Sequence, residues 1–285
     1  MKKMTILFPG SYFNYRHIEE DMREEYNAVR ETGLFDTCLF NYDAWLAGEQ
    51  YRTTNTESIA RDTIYRGWML KPEEYGNMYE ALLKQDLRLH TPPAAYEKMH
   101  LFPNIYPSLI EDTAGMMVFK NREVDVEQIK KKFHRFMVKD SVKSVKGTEF
   151  PVFFDNTVTQ AEFDKWMEVF YKYRGDLITG GICIKEYLDL KRYEGITNEF
   201  RVFYANGQVI SVSRNANQPI YTDVPPADLV MKYRNLNSPY YTIDYAELSD
   251  GTWRIIEAGD GGVSGLSPGQ DPVIYYRSLY YAFMT

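Results

Sequence analysis

Two acidic residues, Asp244 and Glu257, stand on either side of a turn signal, Asp250-Gly251, in the segment 240–262. If Asp250 and Gly251 form a two-residue hairpin turn, counting outward sets Asp244 directly opposite Glu257 on one face of the ladder. Like charges placed there repel each other. The other face of the same register opposes Glu247 to Arg254, a favourable pair, so the register is self-consistent and the two carboxylates need a cation between them. A hard divalent ion suits such a pair. The run Glu257-Ala-Gly-Asp260-Gly-Gly offers a third carboxylate. Its glycines let the chain swing back, and Asp260 is either a third oxygen ligand for magnesium or simply the start of a turn.

A second hairpin signal, Asn206-Gly207, lies upstream. With those two residues as the turn, Tyr204 opposes Val209, Glu199 opposes Arg214, and Arg201 falls on the same face. A surface ion pair between Glu199 and Arg214 accounts for one arginine and stabilises by only ~0.2–1 kcal/mol. Arg201 is left over, and its planar fork suits phosphate or carboxylate oxygens. Further cations stand at Lys139, Lys143 and Lys146, interleaved with Ser141, Ser144 and Gly147. Lys139, flanked by Phe136, Val138 and Val142, runs its stem over an apolar surface. Lys143 and Lys146 belong to a looser, glycine-terminated loop of the kind that closes over a polyphosphate.

The elements that must carry these residues read as two different textures. Over roughly the first 100 residues, short apolar strands at 5–8, 37–40 and 63–69 alternate with helical patterns at 16–32, closed by Gly33, and after Pro72. That is an α/β layer, without a dinucleotide-binding or Walker-type glycine fingerprint. Beyond about residue 111 come a helix at 124–136, a strand at 136–141, and a capping box at Thr159 and Glu162 that opens a helix burying Phe163, Trp166, Met167 and Phe170. A strand within 180–190, the two hairpins, and a short helix at 228–233 follow. The predicted class is α/β plus α+β, with domains at 1–112 and 113–285, the second split into a lid of about 113–185 and a metal-binding part of about 186–285.

Composition narrows the functions. The 285 residues carry a net charge of -7, which argues against a broad grip on nucleic-acid backbone. Residues 120–146 hold nine Lys or Arg against four Asp or Glu, but Lys130, Lys131 and Lys132 read as a solvated helix face. Two cysteines, Cys38 and Cys183, without paired spacing indicate neither a disulfide framework nor a thiolate metal site. The four histidines show no zinc spacing, and Gly262-Val-Ser-Gly-Leu misses the nucleophile-elbow pattern. No apolar run reaches membrane-spanning length and no signal peptide is evident, so a cytoplasmic protein is expected.

In chain order, the lysine strand with its lysine and glycine loop, Ile184-Lys-Glu-Tyr-Leu188, Glu199-Phe-Arg201 with its hairpin, and then Asp244 and Glu257 resemble the ATP-grasp superfamily. The likeness covers about residues 115–270. It is strongest to the divergent branch that includes the eukaryotic translation initiation factor 2 assembly factor and phage and bacterial proteins of predicted ligase function. The resemblance implies ATP held between two α+β subdomains behind an N-terminal α/β layer. Lys139, with Lys143 and Lys146 of its loop, would reach the phosphates. Glu186, Tyr187 and Leu188 would receive adenine and ribose, Arg201 and Arg214 would serve the reacting phosphate and substrate, and Asp244 and Glu257 would bind Mg2+. The family commonly has asparagine two residues after the second acid, where this chain has Gly259, so the third ligand falls to Asp260 or to water. Arg66 is a candidate anchor for a substrate carboxylate, or else a structural ion pair. The implied activity is ATP-dependent joining of an unknown carboxylate to an unknown amine, with a peptide or protein among the candidate substrates. A phosphotransferase and a non-catalytic ATP-binding assembly factor are the alternatives.

Overall fold

A computed structural model describes residues 3–55, 60–120, 122–145 and 147–284. The first texture folds as a parallel sheet in the order β2-β1-β3-β4, from β1 (Met4–Pro9), β2 (Phe35–Phe40), β3 (Arg61–Tyr65) and β4 (Leu87–Leu89). Helices α1 (Arg23–Thr32), α2 (Tyr42–Leu46) and α3 (Pro72–Leu83) fill its crossovers, and α4 (Pro93–His100) and α5 (Phe102–Leu109) lead out of it. Gly33 ends α1 at φ 66, a left-handed conformation that glycine adopts without strain. The helical pattern expected over 16–32 starts only at Arg23 because Gly10 and Ile18 bridge and hold the preceding residues as a loop.

The second sheet is antiparallel, in the order β5-β8-β6-β7, from β5 (Met116–Phe119), β6 (Arg135–Asp140), β7 (Phe154–Asp155) and β8 (Ile182–Glu186). Helices α6 (Val126–Lys130) and α7 (Gln160–Arg174) contribute to its core, which gathers Phe133, Phe136, Phe154, Phe163, Met167 and Phe170. The capping box at Thr159 and Glu162 opens α7 as expected. The helix expected over 124–136 shrinks to five residues. Asp125 caps it at one end, and pairing with β7 and β8 claims the backbone from Arg135 onward.

After a small hairpin, β9 (Arg192–Tyr193) and β10 (Ile196–Thr197), the third sheet runs β12-β11-β13-β14. Its strands are β11 (Glu199–Ala205), β12 (Gln208–Arg214), β13 (Tyr240–Glu247) and β14 (Trp253–Asp260), all antiparallel, with α8 (Ala227–Lys232) between the two hairpins and α9 (Pro272–Met284) closing the chain. Asn206 and Gly207 sit at φ 48 and 75, the paired left-handed residues of a type I′ turn. Phe203, Ala205 and Tyr240 join Tyr275 and Tyr276 of α9 in a core shared with β1 and α1. The opposite face, with Val202, Tyr204, Tyr241, Ile243 and Tyr245, packs against Met99, Phe102, Ile105 and Leu109 of α4 and α5. Most of the tyrosines therefore serve the core. No helix among the described residues is long and apolar enough to cross a membrane.

Candidate functional site

Asp244 and Glu257 do face each other across β13 and β14, by a route other than a two-residue turn. The loop is longer: Glu247 pairs with Trp253 and Ala246 with Arg254, so the expected opposition of Glu247 and Arg254 is absent. A bulge between Asp244 and Tyr245 then leaves Ile256 unpaired and restores Asp244 opposite Glu257. Glu247 is instead satisfied by Lys191 at 2.6 Å, Asn198 at 2.9 Å and Tyr193 at 3.0 Å.

Arg201 lies directly across the sheet from Asp244 and has the partner that sequence reasoning did not give it. Its Nε donates to Asp244 Oδ1 at 2.8 Å and its Nη2 to Oδ2 at 2.7 Å, while Nη1 donates to the Gly265 carbonyl at 2.9 Å. Asn215 Nδ2 adds a longer bond to Oδ2 at 3.4 Å. Burial raises the Asp244 carboxyl above its ordinary value, Arg201 draws it back down, and the Glu257 charge pushes it up again. Oδ1, with one of these bonds against two at Oδ2, has a further lone pair to offer a cation.

On the other side of Glu257 stand two buried lysines. Lys139 Nζ approaches Glu257 Oε1 to 3.5 Å. Lys185, on the same face of the second sheet, donates to the carbonyl of Ile256 at 2.6 Å, so the bulge supplies its anchor. Both ammonium groups lie over the ring of Phe102, at 5.6 Å for Lys139 and 4.2 Å for Lys185. Burial, with the like charge of Lys139 adding to it, draws the Lys185 ammonium down to about 7. In the sequence Lys185 stands inside Ile184-Lys-Glu-Tyr-Leu188 with no role of its own expected. The signal was available in strand alternation, because Lys139 pairs with Cys183 and Lys185 follows two residues later on the same face.

Several expected members lie elsewhere. Asp260 pairs with Tyr241, three residues from Asp244, and so points from the opposite face of the ladder. It is buried, its Oδ1 accepts from the Gly262 N–H at 2.8 Å, and its Oδ2 has no hydrogen-bond partner among the described residues. The third-ligand reading of Asp260 is therefore corrected, and among the described residues no group of three or more His, Cys, Asp or Glu is placed to hold a metal. Arg214 opposes Phe200 and not Glu199, because an irregularity at Phe203 and Tyr204 shifts the ladder by one residue. Its guanidinium lies over the Phe200 ring at 5.4 Å, and it donates to the carbonyl of Ile220, so it does not join Arg201. Arg66 is no open anchor either. It forks onto Glu25 with bonds of 2.7–3.0 Å and donates to the carbonyls of Gly261 and Ser264, which commits all five of its donors.

Glu186 accepts from the Gly115 N–H at 3.1 Å, Tyr187 packs on Phe153 with ring centroids 4.6 Å apart, and Leu188 is half-buried just after β8. Lys143 is exposed beyond the end of β6, and Lys146 lies outside the described residues.

Residues 128–279 match the family model described as ATP-grasp domain, R2K clade family 3. The chain belongs to that family. No curated protein sequence matches it. Among solved structures, this ATP-grasp chain is similar to D-alanyl-alanine synthetase A from Vibrio cholerae O1 biovar eltor, with a TM-score of 0.61 and 11% identity over 100% of both chains. It is also similar to the D-alanine-D-alanine ligase from Coxiella burnetii, with a TM-score of 0.63 and 10% identity over 99% of this chain and 94% of that one. A third is the ATP-grasp ligase PsnB complexed with minimal precursor, with a TM-score of 0.59 and 10% identity over 99% of each chain. At these identities the likeness is one of fold, and it extends over the N-terminal layer as well as the ATP-grasp domain.

Proposed function

We propose that this chain is an ATP- and magnesium-dependent ligase that joins a carboxylate to an amine through an acyl phosphate. The observation that carries this reading is the set of two lysines and an arginine gathered on the Asp244 and Glu257 pair. Two ammonium groups over one aromatic ring, one of them drawn down to about 7, form a place that favours an anion of high charge. Two opposed carboxylates suit magnesium, which is held through one or two protein carboxylates with water and phosphate oxygens completing its shell.

In this reading Asp244 and Glu257 hold magnesium, and Lys139 and Lys185 hold the phosphates. Arg201 keeps Asp244 ionised and oriented by its fork. Magnesium bound there supplies charge compensation on the phosphoryl oxygens during transfer. Glu186, Tyr187 and Leu188, where β8 ends, receive the adenosine part, and Lys143 and Lys146 close from the loop. The chain needs no nucleophile of its own, since the substrate carboxylate attacks the γ-phosphate and the amine displaces phosphate. A peptide is the favoured substrate class, because PsnB, an ATP-grasp ligase of the same fold, is bound to a precursor peptide in its structure.

Incubation with ATP, magnesium, candidate peptides or acids, and amines tests the proposal. Release of ADP and phosphate that requires both acid and amine is expected. A stable phosphorylated product would replace the ligase by a phosphotransferase, and binding without turnover would replace it by an assembly factor.

A further inference from the structure

Directly after Lys139 the chain spends a fully buried carboxylate on a turn. Asp140 accepts the N–H groups of Val142 and Lys143 on Oδ1, both at 2.7 Å, and its own N–H donates to the Lys143 carbonyl at 2.9 Å. Its Oδ2 receives Nε and Nη2 of Arg174, from the last turn of α7, at 2.9 and 2.6 Å, and the Thr179 N–H at 3.4 Å. Two main-chain bonds grip the same turn: Ser141 N–H to the Thr179 carbonyl at 3.1 Å, and Phe102 N–H to the Ser141 carbonyl at 2.9 Å. A side chain on Gly180 would meet Ser141 Oγ at 2.2 Å, so the connection into β8 presses against this turn as well.

A surface turn of this shape needs only an exposed Asn, Asp or Ser. Burying an aspartate against an arginine adds little net stability compared with an apolar filling, and its attested benefit is a fixed arrangement. The arrangement fixed here is the exit of the chain from β6, one residue past Lys139 and leading to Lys143.

We propose that Asp140, clamped by Arg174, is the positioning residue of the lysine loop and sets the place from which Lys143 reaches the nucleotide phosphates. The inference rests on the nucleotide-site reading above and on Lys143 as a phosphate contact. Asp140 itself touches no substrate. The β6–β8 ladder holds Lys139 at Cys183 independently of the clamp, so substitution of either clamp member is expected to act on nucleotide affinity through Lys143.

A double-mutant cycle on the full chain tests this, with the dissociation constant of ATP in the presence of magnesium as the readout. Asp140→Asn keeps an oxygen for the two backbone N–H groups and removes the charge that Arg174 pairs with. It is expected to weaken ATP binding about tenfold in the unsubstituted background and by less than about twofold in a Lys143→Ala background. Arg174→Gln, which leaves Asp140 and its turn in place, is expected to repeat the pattern and serves where the Asp140 variant does not fold. Purely structural damage would lower affinity equally with and without Lys143, and such additivity overturns the inference. So does unchanged affinity in folded Asp140→Asn and Arg174→Gln, or an ATP affinity indifferent to Lys143→Ala. Failure of the unsubstituted chain to bind ATP would instead overturn the nucleotide-site reading and the inference with it.

Discussion

At the scale of single residues, the site is a balance of charges that no one residue explains. Arg201 neutralises Asp244, Lys139 stands by Glu257, and Lys185 has a carbonyl and a ring as partners with, among the described residues, no carboxylate within ion-pair distance. A buried ammonium of that kind costs stability and repays it only when an anion arrives. Lys185→Met keeps the length and removes the charge, so it is expected to weaken ATP binding at least about tenfold while raising the melting temperature, corresponding to ~1 kcal/mol or more at pH 7. The pH dependence follows from the same group. Between its folded value of about 7 and its ordinary 10.5, the folded chain has released a proton that the unfolded chain keeps, so Lys185 makes stability rise with pH across that window. Denaturant midpoints measured from pH 6.5 to 9.5 should show this slope in the parent chain and lose it in the methionine variant.

At the scale of elements, what the sequence made legible and what it hid divide along β-bulges. Hydrophobic alternation and Asn206-Gly207 sufficed to place β11 and β12 and their turn, but an irregularity at Phe203 and Tyr204 moved Arg214 by one residue and off the site face. In the last hairpin a longer loop and a bulge at Ile256 cancel, so Asp244 and Glu257 meet although the assumed turn is wrong and Glu247 pairs elsewhere. Bulges leave no residue-type signature strong enough to count from one sequence, whereas caps do. Thr159 with Glu162 and Gly33 were readable because one side chain or one left-handed residue decides them. Asp260 was misread because its glycine neighbours suggested a swing back to the pair, whereas β14 runs up to Asp260, sets it on the other face, and leaves it capping the short turn Gly261–Val263. Gly180 belongs to this scale too. At φ +71, with Ser141 Oγ where a Cβ would stand, Gly180→Ala is expected to cost ~2 kcal/mol or more in urea denaturation.

At the scale of the whole molecule, the N-terminal layer and the ATP-grasp domain are joined through buried polar contacts as well as through packing. Arg66, at the end of β3, holds Glu25 of α1 and the carbonyls of Gly261 and Ser264 together. Beside it, Asp260 is buried in electrostatic contact with Tyr75 and Tyr96 of α3 and α4, and burial pushes its carboxyl up to about 7. Between its ordinary 3.8 and that value the folded chain holds a proton the unfolded chain has lost, so Asp260 makes stability fall as pH rises from about 4 to 7. Asp260→Asn should flatten that fall and leave the variant more stable at pH 8 by an amount on the order of 4 kcal/mol, read from denaturant midpoints at pH 4.5 and 8. It should also leave magnesium dependence intact, which separates it from Glu257. The most direct test of the nucleotide site is the affinity for ATP measured with and without magnesium in the parent chain and in Glu257→Gln. The expected result is tight binding that magnesium strengthens in the parent and no longer strengthens in the variant, with the fold unchanged by circular dichroism. Equal strengthening by magnesium in both proteins would contradict the account.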